Sequence, residues 1–200
     1  LGSVARLHPT KNLANAVRLL PLEPTWHLAL AGEGPDREAL AKLAEQLGCA
    51  DRLHFAGELA PCRVGDFLAA LDVFVFPSRS ETFGLAPIEA AHAGIPVVAN
   101  DLPVLREVMA TEAGFGAVLV DTEDVATLAA AVKRIVEDPA AAEALKAASR
   151  LLAQKYSPER MIAGYGVLLD GFRSQAFSVT HASQPAASAA EPVGKVVSEA

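Results

Sequence analysis

Cysteine, methionine, tyrosine and tryptophan are all scarce in this chain of 200 residues, at two, two, two and one. Cys49 and Cys62 form no CxxC pair and have no histidine at ligand spacing, which excludes a disulfide framework and a zinc site. Two ordinary buried or half-buried thiols in a reducing cytoplasm fit best. Aromatic residues make up only 6% of a chain that is 52% hydrophobic, so its core must be built from Ala, Leu and Val. Positive charge is also short: 17 Lys and Arg stand against 24 Asp and Glu, a net charge of -7. That field repels nucleic acid and anionic membranes, so a nucleic acid partner is not expected, membrane contact is peripheral at most, and any phosphate site must be local. No apolar run approaches the roughly 18 residues of a membrane span. Nor does a secretory signal appear. The opening Leu1-Gly2-Ser3-Val4-Ala5 has no methionine and reads directly as a strand, as expected of a piece of something longer.

The periodicity alternates between short apolar runs and amphipathic stretches, a beat of roughly 20 to 27 residues that suits βα units. Strands are expected at Gly2–Arg6, Trp26–Ala31, Arg52–Ala56, Val73–Phe76, Pro96–Ala99 and Ala117–Val120. Their near-continuous apolarity requires a parallel sheet covered on both faces. Helices are expected at about Asn12–Leu20, Asp36–Leu47, Arg63–Leu71, Ala86–Ala93, Val104–Met109 and Asp124–Glu137, the last with Thr122 as its cap. Two further helices, Ala140–Gln154 and one from Ser157 to about Phe172, close the domain. The fold class is α/β, a Rossmann-like parallel sheet of about six strands with helices on both faces. The domain should span residues 1–173, followed by a disordered tail, 174–200, whose Ser, Ala, Pro, Glu and Val lack any period.

Three segments carry chemistry. Gly32-Glu33-Gly34 fails the dinucleotide fingerprint, because Arg37 holds the third glycine position and the motif follows the second strand, so it reads as a glycine-rich βα turn. In the turn after the first strand, Arg6 and Lys11 offer a planar fork and a point charge, a pair suited to adjacent phosphates. Pro77-Ser78-Arg79-Ser80-Glu81-Thr82-Phe83-Gly84-Leu85-Ala86-Pro87-Ile88-Glu89 follows the most apolar strand. Here Glu81 and Glu89 stand in a Glu-x7-Glu arrangement, Gly84 permits close backbone approach, and a helix start offers free amides to an anion. Glu89 can accept both hydroxyls of a ribose, and Glu81 can accept from a sugar. His8 reads as a turn residue, and His27, His54 and His92 as occupants of core-like or helical settings. No clustered aspartates of the DxD kind are found.

The Pro77-to-Glu89 block, continued by Ala90-Ala91-His92-Ala93-Gly94-Ile95-Pro96-Val97-Val98-Ala99, resembles the signature of retaining, nucleotide-sugar-dependent glycosyltransferases of family 4, the group 1 family. Arg6 and Lys11 match that family's cation pair, Gly32-Glu33-Gly34-Pro35 its second turn and Phe55-Ala56-Gly57 its third strand. Ala5 and Asn12 depart from the pattern, standing where glycine often precedes the arginine and follows the lysine. The resemblance implies the carboxy-terminal, donor-binding half of a GT-B fold. It further implies that Arg6 and Lys11 grip the diphosphate, that Glu89 holds the ribose, and that Glu81 contacts the transferred sugar. Phe83, Gly84 and Leu85 would lend backbone groups, and the turn near Leu59 would read the base. Arg6, Lys11 and Glu81 would be the catalytic set. No cofactor and no metal is implied, and configuration would be retained.

The implied partners are a nucleoside-diphosphate sugar and, through an amino-terminal acceptor domain for which the length leaves no room, a sugar or lipid-linked acceptor. Cell-surface polysaccharides or glycolipids are the products such a resemblance suggests. The chain alone would bind nucleotide without turnover, in the cytoplasm or peripheral to the inner face of a membrane. A non-catalytic nucleotide-binding or scaffolding module of the same fold is the alternative.

Overall fold

A computed structural model describes residues 1–181, with side chains as far as Phe172. In chain order the elements are β1 (Gly2–Val4), α1 (Leu13–Val17), β2 (Leu28–Ala31), α2 (Arg37–Gln46), β3 (Leu53–Gly57), α3 (Pro61–Ala69), β4 (Phe74–Phe76) and α4 (Leu85–His92). They continue with β5 (Val97–Asn100), α5 (Pro103–Val108), β6 (Ala110–Thr111), β7 (Gly114–Phe115), β8 (Val118–Val120), α6 (Val125–Glu137), α7 (Pro139–Lys155) and α8 (Pro158–His181). All six expected strands are present. Only the small antiparallel β6–β7 hairpin, closed by a 2.7 Å bond from the Thr111 hydroxyl to the Gly114 carbonyl, had no counterpart in the sequence reading.

Six strands form one parallel sheet in the order β3-β2-β1-β4-β5-β8. Alternation along the central strands feeds two cores. Val73, Val75 and Val98 join Leu13, Leu40 and Leu128 on one face, while Phe74, Phe76, Val97 and Ala99 join Leu68, Ile88, Leu105 and Leu152 on the other. Successive side chains of a strand point to opposite faces, so a strand buried on both sides must be apolar at every position. β3 is an edge strand and leaves its alternate face open: His54 on β3 and His27, just before β2, are exposed and stacked at 5.3 Å, outside any core-like setting. His92 is exposed on α4, and Cys62 is exposed while Cys49 is buried.

Local chemistry sets several boundaries differently from expectation. α1 stops at Val17 and the chain passes into a 3-10 turn at Leu20–Leu22, because Pro21 has no amide hydrogen to continue an α-helix. Asp124, not Thr122, caps α6, its carboxylate accepting from the Ala126 amide at 3.0 Å and the Thr127 hydroxyl at 2.6 Å. Thr122 is buried, and its hydroxyl donates to the Pro77 carbonyl at 3.3 Å. α8 continues past the expected end at Phe172 to His181, through the first residues of the segment read as a tail. Gly171 and Pro185 bracket a stretch without a breaker, and extending an existing helix costs far less than starting one. The rest of that segment, 182–200, lies outside the described residues. The chain divides into two compact units, one spanning Leu1–Ser157 and one starting at Pro158, so α8 belongs to the second.

The carboxyl edge of the sheet is shaped by Gly32 and Gly34. Beyond the formal end of β1 the backbone ladder continues: the Ala5 amide donates to Ala31, the Leu7 amide to Glu33 and the Asp36 amide to Leu7, each at 3.0 Å. This draws the loop after β1 so close to the loop after β2 that a Cβ on Gly32 would lie 2.0 Å from the Ala5 carbonyl oxygen, and one on Gly34 2.2 Å from that of Leu7. The Gly-Glu-Gly turn thus fixes where Arg6 emerges.

Gly32→Ala must either part the two loops or force a side chain into φ +131°, and we expect a loss of roughly 2–4 kcal/mol in urea denaturation. Gly48→Ala, at φ +66° with nothing within 4 Å, should cost only about 1 kcal/mol. Equal costs would contradict the close-approach argument. Hydrogen bonds from the Thr127 hydroxyl and the Ala126 amide hold the Asp124 carboxyl below its ordinary value near 3.8. Its contribution to stability is therefore complete above the ordinary aspartate range and fades as pH falls through the lowered value. Asp124→Asn, still a good cap, should keep neutral-pH stability while making the acid limb of a stability-pH curve shallower.

Candidate functional site

The strand order places a topological switch point between β1 and β4, since the chain leaves β1 toward β2 on one side and later returns to β4 on the other. Loops following these strands part there and leave a crevice at the carboxyl edge. The structure has a cleft of about 360 Å³ at that point, lined by Val4, Ala5, Arg6 and Lys11 from the β1 side and by Phe76, Glu81, Thr82, Phe83, Gly84, Leu85 and Ala86 from the β4 side. Six of the eight residues singled out from the sequence, Arg6, Lys11, Glu81, Phe83, Gly84 and Leu85, meet in it. The other two do not line it. Glu89 is exposed on α4, and Leu59 lines a separate recess of about 490 Å³ with Glu58, Ala60, Arg63, Asp66 and Phe67.

Lys11 and Glu81 form the centre of the cleft. Lys11 Nζ donates to Glu81 Oε1 at 2.5 Å and lies 5.7 Å from the centre of the Phe76 ring. Their side chains are only 25% and 10% exposed, so the pair is poorly screened by water. Two of the three ammonium hydrogens remain for a ligand, as does the second carboxylate oxygen. Arg6, by contrast, is exposed at the rim.

Lys11 is carried by a short 3-10 turn, Pro9–Lys11, capped by His8: its Nδ1 accepts from the Thr10 amide at 3.3 Å and lies 2.7 Å from the Thr10 hydroxyl. His8 is thus a turn residue, as expected. On the opposite wall Gly84, at φ +89°, swings the chain into α4. A Cβ there would lie 2.6 Å from Leu105 Cδ2 of α5, so only glycine satisfies both the backbone angle and the packing. No side chain caps α4, which leaves its first amides pointing outward with the positive end of the helix dipole behind them. Phe83 is steadied by an edge-on contact with Tyr156 at 5.7 Å, and the Tyr156 hydroxyl donates to the Val108 carbonyl at 3.1 Å.

Sequence reasoning did not find the floor or the frame of the site. Phe76 was assigned only to a buried strand, yet its ring underlies Lys11. The frame is a polar network: the Arg79 amide donates to Thr10 at 2.8 Å, Asn100 Nδ2 to Ser78 at 2.9 Å and Asn15 Nδ2 to Thr122 at 2.8 Å. Asn100 at the end of β5 and Asn15 within α1 were the available signal. Among the described residues no group of three or more His, Cys, Asp or Glu could hold a metal ion. Nor is any helix among them long and apolar enough to cross a membrane. A larger recess of about 580 Å³ opens at the opposite, amino-terminal edge between Trp26, Val73 and Pro96, and holds none of the expected residues.

The chain is 34% identical over 168 residues to the lipopolysaccharide core biosynthesis glycosyltransferase LpsD of Rhizobium meliloti, covering 84% of this chain and 48% of that protein. It is 34% identical over 196 residues to the D-inositol 3-phosphate glycosyltransferase of Rhodococcus opacus, covering 91% of this chain and 42% of the other. The chain thus spans about half the length of these relatives. Among solved structures, Anabaena HepE in complex with UDP superposes with a TM-score of 0.77 at 22% identity, over 85% of this chain and 48% of HepE, which establishes the fold as one half of a GT-B structure. The family model for glycosyl transferases group 1 matches residues 1–155, the sheet and all the cleft residues, and the chain belongs to that family.

Proposed function

We propose that this chain is the donor-binding part of a retaining glycosyltransferase that moves a sugar from a nucleoside diphosphate to an acceptor. The observation that carries the reading is the convergence of Arg6, Lys11, Glu81 and the uncapped start of α4 on one cleft at the switch point. Breaking a sugar-diphosphate bond passes through an oxocarbenium-like state, and negative charge grows on the departing phosphate. Lys11, with Arg6 at the rim and the first amides of α4 opposite, supplies fixed positive charge to that phosphate. Glu81 accepts hydroxyls of the sugar, Glu89 takes the ribose one turn further along α4, and the recess at Leu59 receives the base. HepE, which shares the fold, was crystallised with UDP, which accords with a uridine diphosphate ligand. Acceptor recognition falls to the part of the relatives' length that this chain does not span. With such a donor the protein would work in the cytoplasm, peripheral to the inner membrane face where the acceptor is lipid-linked.

Calorimetric titration with UDP, GDP and ADP tests the site. One of them should bind, with Lys11→Ala losing about 100-fold or more in affinity through loss of a charge-assisted phosphate contact, and Glu89→Ala about tenfold through loss of two ribose bonds. Unchanged affinity in both variants would remove the assignment. A full-length enzyme with bound nucleotide but neither sugar transfer nor donor hydrolysis would favour the non-catalytic module.

A further inference from the structure

Asn12 is the one non-glycine residue at positive φ among the described residues, at φ 50° and ψ 32°, and it is buried. It stands directly after Lys11, where the family pattern often has glycine. Asparagine tolerates the left-handed region better than most side chains, yet at a cost that glycine avoids. The compensation lies in its side chain: Asn12 Nδ2 donates to Glu123 Oε1 at 3.2 Å. Glu123 in turn accepts a fork of two bonds from Arg79, Nε to Oε1 at 2.6 Å and Nη2 to Oε2 at 2.8 Å. The Arg79 backbone amide donates to the Thr10 carbonyl at 2.8 Å, which closes a ring through three loops.

Lys11 lies between the two points where this ring grips its own loop, Thr10 and Asn12. None of the three latch residues lines the cleft, so each acts through Lys11. The Arg79 and Glu123 side chains are 51% and 49% exposed, and an ion pair so wetted adds little to global stability. Its forked geometry instead fixes direction, which a lysine at position 79 could not reproduce. The far end is itself anchored, because the Glu123 amide donates to Asp121 at 2.9 Å and Asn15 holds the Thr122 carbonyl.

We propose that Asn12, Arg79 and Glu123 form a latch that fixes the Lys11 turn, and that Glu123 is a positioning residue for the Lys11 ammonium. This rests on Lys11 binding the diphosphate. Two readouts on the 200-residue chain separate that reading from the latch: hydrogen exchange at the Lys11, Asn12 and Arg79 amides, and titration with whichever of UDP, GDP and ADP binds. Glu123→Ala and Arg79→Ala should each speed exchange at those amides about tenfold while leaving Val132 in α6 unchanged. Each should weaken nucleotide binding by roughly three- to tenfold, and the double variant no further than either single one. Glu123→Gln, which keeps an acceptor for Asn12 but loses one of the two fork bonds, should recover only part of the protection. Unchanged exchange in both variants overturns the latch, as do additive losses or a general acceleration that includes Val132. Faster exchange with unchanged affinity overturns its service to the site. If no nucleotide binds the unaltered chain, the donor-site reading fails, and with it the positioning role of Glu123, while exchange still decides whether the latch holds the turn.

Discussion

The geometry of the ligand edge depends on two backbones that nearly touch. The carbonyls of Ala5 and Leu7 occupy the space that side chains on Gly32 and Gly34 would fill, and the bonds that hold them there extend the β1–β2 ladder past the formal end of β1. Because the loop after β1 is pinned on this side, it cannot fold back over the crevice and must run out toward β4. Arg6 is thereby delivered to the rim and the Pro9–Lys11 turn to the cleft wall. On the other side Gly84 performs a comparable task, letting α5 approach through Leu105 while it turns the chain into α4. Glycines at both walls thus serve packing first, and the ligand edge follows from it.

Much of this was legible in the sequence. Val73-Phe74-Val75-Phe76 could only be a strand buried on both faces, and the same logic placed the other five. Arg6, Lys11, Glu81 and Gly84 were legible because each lies in a short segment directly after a strand, where a parallel sheet assembles its ligand edge. The purpose of Gly32 and Gly34 was not, since nothing local tells whose backbone a glycine must admit. Nor could the Arg79–Glu123 fork be read across 44 residues, or Thr122 be withdrawn from capping α6, without knowing that the Pro77 carbonyl lies above it. The end of α8 was missed for a simpler reason: composition argued for a tail, whereas helix propagation needs only the absence of a breaker.

Apart from the end of α8, those missed features share a pattern. Each connects loops that follow different strands, and together they make one frame. Asn100 at the end of β5 links the Ser78 carbonyl after β4 to the Thr122 amide after β8, and Asn15 in α1 donates to the carbonyl of the same Thr122. The backbone carbonyls of these loops cannot pair in a sheet ladder, and burial without a partner would cost about 1–3 kcal/mol each. Side-chain amides satisfy them and in doing so set the distances between loops. A rigid crevice therefore arises from hydrogen-bond satisfaction that the fold requires anyway.

At the centre of that frame the Lys11–Glu81 pair holds a half-buried ammonium in a chain of net charge -7. Each charge answers the other, so neither sits unpaired beside the Phe76 ring. On the proposed reading, an arriving phosphate takes ammonium hydrogens that Glu81 does not use, while a sugar hydroxyl donates to the carboxylate. A donor and an acceptor 2.5 Å apart then face the two sides of one sugar-phosphate bond. On that reading a shift of Lys11 by about 1 Å would disturb both contacts, since reacting groups tolerate little misplacement. The position of the turn that carries it is therefore as consequential as its charge.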